Sequence, residues 1–357
     1  VTPTTLIRGR WAALLVFFVA AWFLIGALPA AQLAVIVLAL YYSAAGYSFN
    51  LLFGTLGIFS MAQPVFVAVG GYTSVYLYSK HGISPWLSLP IAMVIAGLIS
   101  LPIAFIAMRR TGTVLTALVT LIVAQAAPPV LAAIKPLGGS IGLYLTVKPH
   151  DDWGAMQFAD ASTFGRILLV VNVLIIGGLM WFGRSRIGGW VLAVKDSQQA
   201  AAAVGIPVRS IRVGVFVASA MVAAVPGVVF AQYNLLVNAE LFLGTSALFQ
   251  IIVAALIGGS ARPWGTLVGA IVIVEISHFL TQAFNGRPGV GPLTFAAVFL
   301  VMALVMPTGI SGTWAALTAR RRSGPVRAGG AEPVPGAGQD LAGGERPERA
   351  TSSHAGT

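Results

Sequence analysis

Glu275 and His278 are the side chains of this sequence best suited to chemistry inside an apolar segment. Three residues apart, they share one face of a helix. A carboxylate at membrane depth is a candidate for ion coupling or solute selection. The other reading is a carboxylate hydrogen-bonded inside a bundle, or one near the outer interface where its segment ends. One Glu and one His fall short of the ligand set a metal needs, so no metal site is expected. A proton-coupled transporter usually carries several buried acids, and an intramembrane protease needs a Ser–His or paired-Asp arrangement. Neither pattern is present in the apolar segments. The chain has no cysteine, which excludes disulfides, thiolate metal sites and cysteine nucleophiles. No enzyme is expected.

The remaining chemistry is carried by amides, hydroxyls and small residues. In "NLLFGTLGIFSMAQPVFVAVGGYTSVYL", Asn50–Leu77, Gly54, Gly57, Gly70 and Gly71 allow close helix approach. Pro64 is expected to remove a backbone donor in mid-span, with Gln63 beside it to satisfy a freed carbonyl or line a cavity. Interrupted spans point to a translocation path, so Asn50, Gly54, Gly57, Ser60, Gln63, Pro64, Gly70, Gly71 and Tyr72 are assigned to it. In "ALIGGSARPWGTLVGA", Gly258, Gly259, Gly265 and Gly269 surround Pro263 and mark a helix break with tight packing. "VKDSQQAAAAVGIPVRSIR" is a polar, Ala-rich island between apolar runs. Asp196 or Ser197 can cap a helix through Val204, and Gly205 can end it. Such a helix is too short to stand unsupported, and its smooth face suits docking in a groove; the plainer reading is a connecting loop.

The elements that must hold these residues are membrane helices. Hydrophobic residues make up 57% of the 357 and charged residues 9%, against about 25% charged in soluble domains. Mean hydropathy is +0.89. The long uncharged runs favour helices over the alternating strands of a barrel. Candidate spans cover about 11–28, 32–53, 57–78, 85–108, 113–134, 166–183, 212–232, 246–259, 265–284 and 290–307. The fold class is therefore an all-α membrane protein of about ten helices (eight to ten), some broken. The 246–259 run is too short to cross alone and is expected to be broken or re-entrant. The first run has a signal-peptide look, with "ALPA" as a cleavage site, but the spans that follow favour a retained helix.

Tracing charge fixes orientation. With Arg8 and Arg10 inside, Arg109, Arg110, Arg184, Arg186, Lys195, Arg209, Arg212, Arg262 and Arg320–Arg322 also fall inside. Lys80, Lys135, Lys148, Arg166 and Arg287 fall outside, among Asp151, Asp152, Asp160 and Glu240. Both termini are then cytoplasmic. The net charge of +11 is topological, and no nucleic acid partner is expected; the bilayer is. The organisation is 1–30 as N-terminus and first span, 31–310 as the transport domain with an inner loop at about 184–211, and 323–357 as a disordered cytoplasmic tail.

Over residues 35–310 the sequence resembles the permeases of branched-chain amino acid ABC importers, specifically the LivM-like subunit of the LivH/LivM family. The Asn50–Leu77 segment looks like the family's NLLxGxxGxxSLGHxAFxGxGAYT. "RRTGTVLTALVTLIVAQ" looks like RxxGxYxAxxTLAF, and "PLGGSIGL" like the outer-loop TGGSDGI. "GRSRIGGWVLAVKDSQQAAAAVGIPV" looks like GRALRAIREDExAAExxGIxV, and "ALIGGSARPWGTLVGA" like VLGGxGSxxGPxxGA. Each motif alone is modest; five in order are specific. The resemblance implies a permease in a bacterial cytoplasmic (inner) membrane, without hydrolytic residues of its own. Its partners would be a LivH-like second permease, two LivG/LivF-like cytoplasmic ATPases that hydrolyse ATP, and an extracytoplasmic substrate-binding protein. No cofactor is implied in this chain. It maps the ATPase-coupling helix onto Asp196–Gly205, with Arg186, Lys195, Asp196, Ala200, Ala201 and Gly205 in coupling roles. Gln198, Gln199 and Ala202 replace the family's Glu residues, which shifts ATPase contact towards shape and towards Arg184, Arg186 and Lys195. Gln63–Pro64 stands in place of the family's His, and Ile141 in place of its outer-loop Asp. The substrate class therefore runs from branched-chain to related amino acids, amides, urea or aromatic acids. The competing expectation is a self-sufficient secondary transporter or channel using Glu275.

Overall fold

The structure is a computed structural model that describes residues 18–108, 113–148, 150–259 and 264–283. The span expected at 290–307, the tail at 323–357 and the Arg109–Arg110, Arg262, Pro263, Arg287 and Arg320–Arg322 positions lie outside the described residues.

The helices are α1 (Phe18–Ala27), α2 (Ala30–Leu56), α3 (Gln63–His81), α4 (Pro85–Ala107), α5 (Thr113–Ala133), α6 (Ala161–Arg184), α7 (Arg186–Asp196), α8 (Gln198–Ala203), α9 (Val208–Asn234), α10 (Ala239–Leu243), α11 (Thr245–Gly258) and α12 (Gly265–Ala283). Among the described residues six stretches are long and apolar enough to cross a membrane, α10 and α11 counting together as Ala239–Gly258. That pairing answers the short 246–259 run: a bend at Gly244 joins two helices into one crossing length. The 19-residue α3 is absent from the six because it carries Gln63, Gly70, Gly71, Thr73 and Ser74. It is long enough to span about 28 Å, and α2, α4 and α9 pack around it. A helix shielded by others need not be apolar.

Burial orders the layers. The most apolar stretch of α2 is 83% buried, that of α9 61%, that of α4 28% and that of α5 17%. So α2, α3 and α9 form the centre, and α4 and α5 form its rim. The central contact is backbone against backbone. A methyl group on Gly70 of α3 would strike the Ala224 carbonyl of α9, and one on Gly227 would strike the Val67 carbonyl. Gly71 lies against Phe242 and the Gly227 carbonyl, at 3.0 and 3.3 Å from where a Cβ would stand. Small residues at these positions let dispersion replace the hydrophobic drive that lipid removes.

The helix ends sort into two faces. At one, the α4 start meets the loop after α5: Trp86 Nε1 donates to the Trp153 carbonyl at 2.7 Å and Ser84 Oγ to the Gly154 carbonyl at 2.5 Å. On the same face β1 (Leu143–Tyr144) pairs antiparallel with β2 (Leu236–Val237). This ribbon departs from the all-helical expectation. It explains the glycines of "PLGGSIGL": Gly142 has φ +91°, and any side chain there would meet the Val237 carbonyl. An ion pair joins Lys148 and Asp152, and Lys148 sits 5.8 Å over the Tyr78 ring. Lys148, with the Ala155 and Gly154 amides, holds the Asp152 carboxyl below its ordinary range. At the other face Arg209 stacks on Phe105 at 4.4 Å, joining the α9 start to the α4 end. That face bears Arg184, Arg186, Lys195, Arg209 and Arg212. The helix ends thus segregate into a basic face and a mixed-charge face.

The α3–α9 crossing yields a stability test. Gly227→Ala should cost about 1–3 kcal/mol by overpacking, read as a lower melting temperature in detergent. Gly177→Ala, with nothing within 4 Å, should leave it unchanged. Equal melting temperatures for both variants would refute the backbone contact.

Candidate transport site at the α2–α3 break

The helix C-terminus of α2 and the N-terminus of α3 face each other across residues 57–62. Gly57 ends α2 in the left-handed region, φ 67°, with its N–H returned to the Phe53 carbonyl and the Ile58 N–H to the Leu52 carbonyl. The next residues have no helical ladder. Ser60 and Ala62 are buried there, and Met61 N–H donates to Thr120 Oγ1 of α5 at 3.0 Å. Pro64 does not interrupt a helix, contrary to the expected mid-span break. It sits in the first turn of α3, where a missing N–H costs nothing. The interruption precedes it, made by the left-handed Gly57 that closes α2.

Gln63 is fully buried and ties three helices together. Its Oε1 accepts from Ser48 Oγ of α2 at 2.9 Å, and its Nε2 donates to Ser219 Oγ of α9 at 3.0 Å. Ser219 in turn donates to the Ser48 carbonyl at 2.7 Å. Both ends of the amide are thus used inside the subunit. The family's His is replaced here by a group that can accept and donate at once, without a proton to lose.

Other expected path residues are also engaged. Asn50 donates to Thr266 Oγ1 of α12 at 3.1 Å. Gly70 and Gly71 form the α3–α9 contact, and Tyr72 is buried. The Gly54 carbonyl is one of the last in α2 and lacks an intrahelical donor; Lys195 Nζ from the inner loop donates to it at 2.8 Å. A cation at a helix C-terminus also opposes the helix dipole. Ser48, Thr120 and Ser219 were missed in sequence. Their only signal was a hydroxyl inside an apolar run.

The second glycine cluster lies where α11 and α12 approach closely. A Cβ on Gly258 would meet the Gly265 carbonyl, and one on Gly269 the Ala254 carbonyl. Gly259 follows the end of α11 at φ 74°. So α11 and α12 form a close pair beside α2. Glu275 of α12 does not point into the bundle: it is exposed, as is His278, whose Nε2 lies 3.2 Å from Gln282 Nε2.

The inner loop holds two helices where one was expected. Ser185 caps α7 and accepts from Gly188 N–H at 3.1 Å. Ser197, not Asp196, caps α8, accepting from Ala200 N–H at 3.2 Å. Asp196 is the exposed last residue of α7, and Gly205 follows α8 at φ +83°. Arg186, Ala200, Ala202 and Ala203 are exposed. Ala201 is buried and seats α8 on the bundle, so its side chain faces away from any docked partner. Among the described residues no cluster of His, Cys, Asp and Glu could hold a metal.

Residues 31–307 match the family model described as branched-chain amino acid transport system / permease component. The probable branched-chain amino acid transport permease protein LivH of Methanocaldococcus jannaschii is 27% identical over 274 residues, 72% of this chain and 84% of that protein. The LivM permease protein of the Escherichia coli K12 high-affinity branched-chain amino acid system is 24% identical over 298 residues, 76% of this chain and 68% of that one. The LivH protein of the same strain is 30% identical over 155 residues, 43% of this chain, and there the match spans about half (49%) of the relative. No solved structure matches.

The Gln63 tie generates a prediction. Gln63→Leu removes the bonds from Ser48 Oγ and to Ser219 Oγ, leaving only the Ser219–Ser48 carbonyl bond across the helices, and should cost about 1–2 kcal/mol, measured by detergent unfolding. Gln63→Glu, which keeps the acceptor and loses the donor, should cost as much or more. Wild-type unfolding in both would show that the amide bridges nothing.

Proposed function

The chain belongs to the family of branched-chain amino acid transport permease components, and from that premise we propose that it is the transmembrane permease subunit of an ATP-binding-cassette importer. In this reading it forms the translocation path with a second permease, in a bacterial cytoplasmic membrane, and is driven by two cytoplasmic ATPases. An extracytoplasmic binding protein delivers a branched-chain or related amino acid to the mixed-charge face. That a single strain, E. coli K12, has both LivH and LivM among the relatives supports a pair of unlike permeases.

The observation that carries the reading is the α7–α8 pair on the basic face. It is a capped, Ala-rich projection with no packing role for its outer surface, and it is too short to fold alone. It is also mechanically connected. Lys195 holds the α2 terminus through the Gly54 carbonyl, and Ala201 seats α8 against the bundle. A push on α8 would reach the α2–α3 break and, through Gln63, α9. A subunit that binds no nucleotide itself needs such a lever. Arg184, Arg186 and Lys195 supply charge around the Ala surface, which offsets the missing Glu residues of the family pattern.

One observation favours the competing reading: Glu275 is exposed near the middle of α12, where a coupling carboxylate would sit. Vesicle uptake separates the two. This chain alone should give no ion-driven uptake, and the assembled complex should take up substrate only with ATP. Robust ion-driven flux by the chain alone would overturn the importer reading. In the complex Glu275→Gln should leave ATP-driven uptake intact.

Docking has its own test. Ala200→Trp should weaken ATPase co-purification by about tenfold, equivalent to roughly 1.4 kcal/mol, without lowering the melting temperature of the permease. Ala201→Trp should lower that temperature. Undiminished ATPase binding by Ala200→Trp would remove α8 as the docking element.

A further inference from the structure

Gln125 is a polar side chain near the middle of α5 that faces away from the rest of the subunit. The helix touches its neighbours along one side, a stripe of buried Thr116, Thr120 and Ala124 flanked by Val119, Val123, Ala127 and Leu131 packed against the core. The stripe is fixed by hydrogen bonds: Thr116 Oγ1 donates to the Ala107 carbonyl at 3.0 Å, and Thr120 Oγ1 accepts from Met61 N–H at 3.0 Å. At 3.6 residues per turn, Gln125 lies about 140° around the helix from the middle of that stripe. Its amide therefore cannot turn back into the bundle, and it is exposed.

The backbone adds to the demand. Pro128 and Pro129 lie inside α5 and have no N–H to return to the carbonyls of Ala124 and Gln125. The exposed Gln125 side chain thus sits at the depth where its own carbonyl has lost the usual i+4 donor. Around them the surface is apolar. Val114 is 74% exposed, Ile122 67%, Val130 57% and Leu118 51%. Lipid satisfies those side chains but offers nothing to an amide or a carbonyl at mid-bilayer. A water-filled path would satisfy the amide and leave the apolar surround wet. A helix of another membrane subunit satisfies both, since interhelical amides hydrogen-bond while apolar neighbours pack.

We infer that the outward face of α5 packs against the second permease subunit, with the Gln125 side chain hydrogen-bonded across that interface. The inference rests on the importer reading. It also gives α5 a two-sided part: its inner stripe grips the α2–α3 break through Met61, and its outer face meets the partner. Movement between the permeases would then reach the break through one helix.

The lack of cysteine in the chain makes the test clean. Gln125→Cys and Leu174→Cys, the latter 68% exposed on α6, are expressed in the full complex in its native membrane. Each is labelled with a thiol-reactive benzophenone and photolysed. The expected result is a covalent product with the second permease from Gln125→Cys, about tenfold more abundant than from Leu174→Cys. A product joining two copies of this chain, or lipid adducts alone in an intact complex, would overturn the inference and leave the importer reading standing. Purified complex with no second permease in it would overturn both. In parallel, Gln125→Leu should release the second permease from the detergent-solubilised complex while the melting temperature of this chain stays unchanged. Gln125→Asn should restore part of the association. Retention of the partner by Gln125→Leu at wild-type strength counts against the hydrogen bond.

Discussion

The crossing of α3 and α9 at backbone distance is the contact on which the other features depend. Gly70 and Gly227 each meet a carbonyl of the other helix where a side chain would begin. With that separation the Ser219 hydroxyl comes within reach of Gln63, and Ser219 reaches the Ser48 carbonyl. It also lets Gly71 accept the edge of Phe242, which draws α10 onto the centre. Phe66 and Phe216 meet edge to face at 5.8 Å along the same contact. A wider crossing would strand an amide and two hydroxyls inside a medium that has no donors to lend.

The constraint on polar groups accounts for the rest of the architecture. Several helix ends inside the protein have a named partner for their loose backbone groups. Thr120 takes Met61 N–H, Lys195 covers the Gly54 carbonyl, and Ser185 and Ser197 cap α7 and α8. Asn172 of α6 donates to the Leu40 carbonyl of α2 and to its own Leu168 carbonyl, at 3.0 and 2.8 Å. Gln232 reaches Ser74 at 3.0 Å and ties the outer halves of α9 and α3, as Gln63 and Ser219 tie the inner halves. The polar residues that distinguish this chain from a plain apolar bundle are therefore mostly interhelical ties. Gln125 differs in its place: it is an amide exposed near the middle of a helix whose surroundings are apolar.

Hydropathy and glycine spacing carried much of this information in advance. The helix bounds over α4, α5 and α12 lie within about two residues of those expected, well inside the usual uncertainty of helix ends. The close approach at Gly70, Gly71, Gly258, Gly265 and Gly269 was legible because only small residues permit it. Charge tracing anticipated which ends share a face. What hydropathy could not convey is direction around a helix. Gln63 was equally compatible with a cavity or a tie, since its partners lie 15 and 156 residues away. Ala201 was indistinguishable from Ala200 until the seat of α8 was known. Pro64 read as an interruption because the start of α3 is set by Gly57 and Thr120, and the latter is on another helix. The β1–β2 ribbon consists of two residues per strand, too short for alternation to register.

The break at 57–62 is where these threads meet, and its construction suits movement under the importer reading. It is anchored from three directions by the hydrogen bonds of Lys195, Thr120 and Gln63, and Phe59 packs edge-on against Phe49 and Phe53. Gly57 supplies the one residue whose backbone can leave the left-handed region without side-chain cost. Rigid α2 and α3 flank it, so a displacement at Lys195 is not absorbed along either helix but concentrated between them. Hinges are generally a few terminal residues of this kind. The same design explains the cross-helix bonds of Gln63, Asn172 and Gln232: a lever works only if its two arms hold their shape. The outer face of α5 is the complement of this design, a surface on which the subunit leaves a polar side chain, Gln125, exposed.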